Sequence, residues 1–108
     1  MIRVSIIYPQ PSNTLDNKQV FDLHYYQTKH LPLVEKLYRK FGLSHWQIDQ
    51  GISLSTRQSA SFIAASYLFF HSVDNVKQAF KNQGVNVMAD VKNFTNIEPQ
   101  ISFSEIIA

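Results

Sequence analysis

The chain contains no cysteine, which excludes disulfides, thiolate nucleophiles and cysteine-held metals. Glycine is almost as scarce, with three in 108 residues. No phosphate-cradling loop or dinucleotide fingerprint can be assembled from so few. The histidines, His24, His30, His45 and His71, are dispersed, and no two form the His-x-x-x-His pair that sets two imidazoles on one helix face. No metal and no cofactor are therefore expected. No serine lies in a nucleophile elbow. No apolar run approaches the roughly 20 residues of a membrane span, and the N-terminus lacks the basic and apolar regions of a signal peptide. A cytoplasmic protein without a membrane partner is the expectation. Charge is also sparse, at 17% against roughly 25% in an average domain. The ten Lys and Arg are scattered, Arg39 and Lys40 being the one tight group, so no nucleic-acid partner is expected.

What is present is apolar. Hydrophobic residues make up 44%, enough for the core of one domain over residues 1–108. Ile2, Val4, Ile6 and Tyr8 alternate with Arg3, Ser5 and Ile7 as a strand, ended by Pro9 to Asn13. Asp16 and Gln19 have capping-box spacing. Beyond them Leu23, Tyr26, His30, Leu33, Leu37 and Phe41 form one helical stripe, stopped by Gly42. Pro32 lies inside this pattern and should kink the helix beside His30. Leu43 to Gly51 reads as a second strand, 52–61 as a polar loop, and Ser61 to His71 as a third strand apolar on both faces. Ser72 can cap a second helix with Val73, Val76 and Phe80 inward. Gly84 should break it, leaving Val85 to Val91 as a short helix with Val85 and Met88 inward. After a loop from Asn93 to Pro99, Ile101 to Ile107 makes a fourth strand.

The predicted order βαββαβ is that of an α+β, ferredoxin-like fold with a four-stranded antiparallel sheet. Its first and third strands are central, and these two are the apolar ones on both faces. Two helices cover one face only. The other would hold aromatic residues in water, so a homodimer through the sheet face is predicted.

Three stretches are similar to a known family. They are Tyr25-Tyr26 before His30-Leu31-Pro32-Leu33, Asp49-Gln50-Gly51, and Asp90-Val91-Lys92-Asn93-Phe94-Thr95-Asn96 followed by Pro99. Together they resemble the EthD-type family, whose members are dimeric α/β-barrel proteins. The family is named for a protein needed in bacterial degradation of ethyl tert-butyl ether, and members are often labelled reductases. Relatives in the wider group include cofactor-free monooxygenases, muconolactone isomerases and haem-degrading enzymes. The resemblance implies a ligand pocket between sheet and helices, and a small-molecule enzyme or accessory protein, with an oxidoreductase in catabolism of an apolar or aromatic compound as one such activity.

His30 is the first candidate for chemistry, because an imidazole on an apolar stripe is a proton-transfer group near neutrality. The bland alternative is a core histidine. Tyr26, one turn earlier, and Tyr8, on the inward face of the first strand, could orient a ligand or simply fill space. Asp49 could orient a histidine, though a strand-end aspartate needs no such role. Trp46, Phe70, Met88 and Phe94 could line a pocket for an apolar or aromatic ligand, as could any core aromatic. Proton transfer or cofactor-free oxidation fits this set better than hydride transfer. A non-catalytic binding or stabilising module with the same pocket is the alternative. An RNA-recognition domain shares the strand and helix order, but the third strand lacks that motif's Lys/Arg-Gly opening.

Overall fold

The computed structural model describes residues 1–11 and 18–108. Strand β1 (Ile2–Pro9) leads to a helical arm of four pieces. These are α1 (Leu23–Tyr25), a π-helical turn (Tyr26–His30), α2 (Leu31–Tyr38) and a 3-10 turn (Arg39–Phe41). Strands β2 (Leu43–Gln50) and β3 (Phe62–Phe70), helix α3 (Val73–Asp90), a 3-10 turn (Val91–Asn93) and β4 (Gln100–Glu105) follow. The sheet is antiparallel throughout, in the order β2-β3-β1-β4. This is the ferredoxin-like fold, with β1 and β3 central as their two-sided apolar character requires.

Register divides the faces. Val4 pairs with Leu68 and Phe103, and Ile2 with Phe70, which sets Ile2, Val4, Tyr8, Ala64, Ser66, Leu68 and Phe70 against the helices. Trp46 and Ile48 join that side opposite Leu68 and Ser66. The helix-free face carries Ser5, Ala65, Tyr67 and Phe69. Its aromatics are less bare than expected: the His45 ring stacks on Phe69 at 4.3 Å, and the Arg3 guanidinium lies over Tyr67.

One local expectation falls outside the described residues, and two need correction. The capping box involves Asp16, which lies outside the described residues; the observed cap of α1 is Asp22, whose carboxylate accepts from Tyr25 N–H. The kink at Pro32 is a π turn, in which Leu31 N–H reaches back five residues to the Tyr26 carbonyl. Pro32 follows this turn directly inside the continuous helical arm, so the wide turn lies where proline removes an N–H from the ladder. A π turn spreads one turn over more residues, so the inward face lags by about one position. Leu31, Val34 and Tyr38 are therefore buried, in place of the predicted Leu33, Leu37 and Phe41, which are only half-buried. Lastly, Gly84 does not break α3. The helix runs through it, so Val87 is buried while Val85 and Met88 are exposed. Burial of Val76, Ala79 and Val87 against the sheet outweighs the ~1 kcal/mol that an internal glycine costs. At Gly42 glycine is required: its φ is +94°, and its N–H closes the turn on the Arg39 carbonyl.

Candidate functional site

The π turn brings Tyr26 and His30 inward one above the other. Their rings are nearly parallel, 5.7 Å apart. The Tyr26 hydroxyl donates to Ser66 Oγ on the central strand, which ties the arm to the sheet. Phe94 packs against both rings, with centroids 4.5 Å from His30 and 4.9 Å from Tyr26. Phe94 is held there by the following loop. Its carbonyl accepts from Asp22 N–H, Thr95 Oγ1 donates to the Val20 carbonyl, and the Asn96 side chain bridges Lys18 and Val20. Much of the Asp90 to Asn96 stretch is thus a clamp that seats one aromatic ring under one imidazole.

The start of that stretch does more. Asp90, at the end of α3, places Oδ2 2.9 Å from His30 Nδ1. Its Oδ1 accepts from the Tyr25 hydroxyl at 2.7 Å and from Asn93 Nδ2 at 2.9 Å. The side chains of His30 and Asp90 are 7% and 14% exposed, so water competes weakly for the pair. Burial pushes the Asp90 carboxyl up, but the hydrogen bonds from His30, Asn93 and Tyr25 together outweigh it and hold it below its ordinary value. Burial lowers the His30 pKa, against the opposing pull of Asp90. At neutral pH the pair is an aspartate accepting from a neutral imidazole through Nδ1–H. This fixes the tautomer and leaves a lone pair on Nε2. Nε2 has no hydrogen-bond partner among the described residues.

His30 lines an apolar cavity of about 250 Å³ between the arm, α3 and the sheet. Tyr8, Tyr26, His30 and Met88 line it, together with Leu31, Val34, Tyr38, Leu68, Val87 and Ile101. Gly84 also lines it; a Cβ there would meet only Phe80, at 3.9 Å, so the missing side chain contributes open space. The hydroxyls of Tyr8 and Tyr38 have no partner among the described residues, although both residues are almost wholly buried. Burial pushes each phenol up to about 12, so each remains a proton donor. The site therefore offers one base and two donors in an apolar chamber.

The other candidates fall elsewhere. Asp49 is exposed on the helix-free face opposite Ala65 and cannot orient His30; Asp90 does so. Trp46 is half-buried on the edge strand and Phe70 fully buried behind Tyr38, and neither lines the cavity. Phe94 supports His30 from outside the cavity. Asp90, Ser66 and Tyr38 were missed as site residues. Ser66 left a signal: it is the inward polar residue of an apolar strand. Asp90 left only its place in the family-like stretch, 60 residues from its partner. No group of three or more potential metal ligands occurs among the described residues.

The family that matches is the EthD domain, over residues 19–98. The chain belongs to the EthD domain family. None of the curated proteins compared with it matches. Solved structures agree on the fold. An EthD-like protein from Ralstonia eutropha superposes with a TM-score of 0.84 at 23% identity, over 99% of this chain and 92% of its own. An ethyl tert-butyl ether D (EthD) family protein from Bacillus halodurans gives 0.74 at 18% identity, over 99% of both chains. A dimeric ferredoxin-like protein from an uncultured marine organism gives 0.53 at 8% identity, over 100% of this chain and 96% of its own. The family match spans both halves of the dyad, His30 and Asp90.

The dyad makes a prediction of its own. Asp90→Asn removes the carboxylate and can present N–H to Nδ1, which favours the tautomer that blocks Nε2. Base-dependent activity should fall about 10–100-fold, by analogy with the loss of groups that orient a working histidine. Because an uncharged partner remains, melting should change little. Activity within twofold of the parent would show that Asp90 has no orienting role.

Proposed function

We propose that this EthD family protein is a proton-transfer enzyme acting on a small apolar molecule with an acidic C–H beside a carbonyl. The observation that carries the reading is the His30–Asp90 pair, with Nε2 of His30 left without a partner among the described residues and His30 lining an apolar cavity. In the step proposed, Nε2 takes the proton from carbon and the C–H electron pair moves onto the carbonyl oxygen. The resulting enolate is stabilised by the Tyr8 hydroxyl, which flanks the same Tyr26 and Phe94 rings as His30. Return of the proton to the same carbon gives exchange, and return to another gives isomerisation. The apolar walls strengthen both polar contacts by excluding water. The cavity volume is below the roughly 300–1,000 Å³ of sites for drug-sized ligands, which points to a compact substrate. The test is deuterium uptake from D2O into 2-tetralone, a compact ketone with a benzylic C–H of this kind, followed by proton NMR. Exchange should exceed buffer and depend on His30. Exchange at the buffer rate would refute proton transfer and leave a binding module.

We also propose that the working unit is a homodimer through the helix-free sheet face, where Ile63 and Tyr67 remain half-buried. That a ferredoxin-like neighbour is dimeric supports a dimer. Light scattering at micromolar concentration should return twice the chain mass of 12.5 kDa. The monomer mass would exclude it.

A further inference from the structure

We infer that the ligand of this cavity carries two oxygen functions, a carbonyl at the Tyr8 and His30 end and a second acceptor oxygen held by the Tyr38 hydroxyl at the opposite end. The inference rests on the reading above for the first end, and on Tyr38 alone for the second.

Tyr38 lines the cavity, is 3% exposed, and has no hydrogen bond to its hydroxyl among the described residues. The hydroxyl is not sealed off, since no wholly buried side-chain oxygen or nitrogen among the described residues lacks a partner; it keeps a little accessible surface from which it can donate. A core position needing only an aromatic ring would be served by Phe, which packs the same way without a hydroxyl to satisfy. The oxygen is thus explained if a ligand completes it.

Its position gives the length of the ligand. Tyr38 is eight residues beyond His30 on the arm, about 12 Å along a helix. Its ring packs against Phe70 at 6.0 Å and Phe80 at 5.8 Å. Tyr8 packs instead against Phe21 at 5.0 Å. In the sheet Tyr8 pairs with Ala64 whereas Phe70 pairs with Ile2, so the two tyrosines approach the cavity from opposite ends of the central strand pair. Between them the wall is Leu31, Val34 and Leu68, with the one polar side chain there, Ser66, already engaged by the Tyr26 hydroxyl. A molecule that satisfies both ends is apolar in the middle and oxygenated at each tip. Burial keeps the Tyr38 phenol protonated at neutral pH, so the far oxygen is an acceptor such as an ether, ester or ketone.

The test compares 6-methoxy-2-tetralone with 6-ethyl-2-tetralone, which share the ketone and the ring and have nearly equal length. Calorimetric titration of the parent protein should show the methoxy compound binding about fivefold more tightly, the worth of one neutral hydrogen bond. Tyr38→Phe removes only an oxygen with no protein partner, so it should fold as the parent does. It should abolish the preference by weakening the methoxy compound, leaving the ethyl compound within about twofold. Equal binding of the two ketones by the parent protein, a preference that survives Tyr38→Phe, or binding of neither overturns the inference. Deuterium exchange keeps the two proposals apart. A Tyr38-dependent preference without exchange supports the far anchor and refutes the His30 base. Exchange without the preference does the reverse.

Discussion

His30→Gln lowers the rate of deuterium exchange into 2-tetralone by about 10²–10⁴-fold, the usual worth of a positioned general base. Glutamine keeps the polarity and much of the volume of the imidazole but has no lone pair of comparable basicity. No other wall residue can replace it. The phenols of Tyr8 and Tyr38 are pushed up to about 12 and remain protonated, and the Asp90 carboxylate already accepts from His30, Tyr25 and Asn93. The pH profile separates a base from a packing residue. Burial holds His30 below its ordinary value of 6.5, so the imidazole stays neutral and active through that pH. The rate should be level from pH 8 to below 6.5 and fall only as pH drops through the lowered pKa. A His30→Gln variant with parental exchange, or a parental profile falling above 6.5, would remove His30 from the reaction.

The same shift bears on stability. The unfolded chain takes up a proton on His30 at a higher pH than the folded one does. The stabilisation linked to that residue is therefore complete above pH 6.5 and is lost as pH falls through the folded value. The Asp90 carboxyl, also held below its ordinary value, adds a loss in the same direction at still lower pH. On the proposed reading, acid should weaken the fold and silence the base together.

Phe70→Ala costs about 3–5 kcal/mol of folding free energy, the usual loss for a buried aromatic cut back to alanine. Phe70 has 0% exposure and ends the central strand β3, in register with Ile2 on one side and Leu43 on the other. Its ring also backs Tyr38, so the void would form beneath the arm that carries His30. A domain of this size has only about 5–15 kcal/mol in total. With a urea slope of about 1–3 kcal/mol/M, the unfolding midpoint should drop by more than 1 M. A shift below about 0.3 M would mean that the site collapses to fill the void, or that Phe70 is not in the core. The sequence offers Phe70 equally as a pocket residue. Alternation places it on the inward face, but which inward residues meet a cavity and which meet other side chains depends on how the helices lie over the sheet.

The fold itself was legible in the residues, and the reason is periodicity. Burial on one face or both leaves a pattern of two or 3.6 residues, and the two-sided apolar runs at Ile2–Tyr8 and Phe62–Phe70 identified the central strands. Tyr8, Tyr26 and His30 were legible for the same reason, since each lies on an inward stripe. Local patterns failed where packing overrode them. Gly84 is a helix breaker by propensity, yet α3 continues because Val87 beyond it is buried. The π turn moved the inward face of α2 by one residue, so Leu31, Val34 and Tyr38 replaced Leu33, Leu37 and Phe41. Spacing alone could not show this, because an extra residue in one turn leaves the sequence unchanged. The dyad was the least legible feature. A hydrogen bond between residues 30 and 90 has no period and no local signature, and Asp49 was the acid the sequence offered as a histidine's partner. The sequence by itself determined the fold class, the central strands and the inward-facing histidine. Only the tertiary structure decided which carboxylate meets that histidine, and that two tyrosines whose hydroxyls have no partner among the described residues line the same cavity, because both depend on how α3 and the arm dock across the sheet.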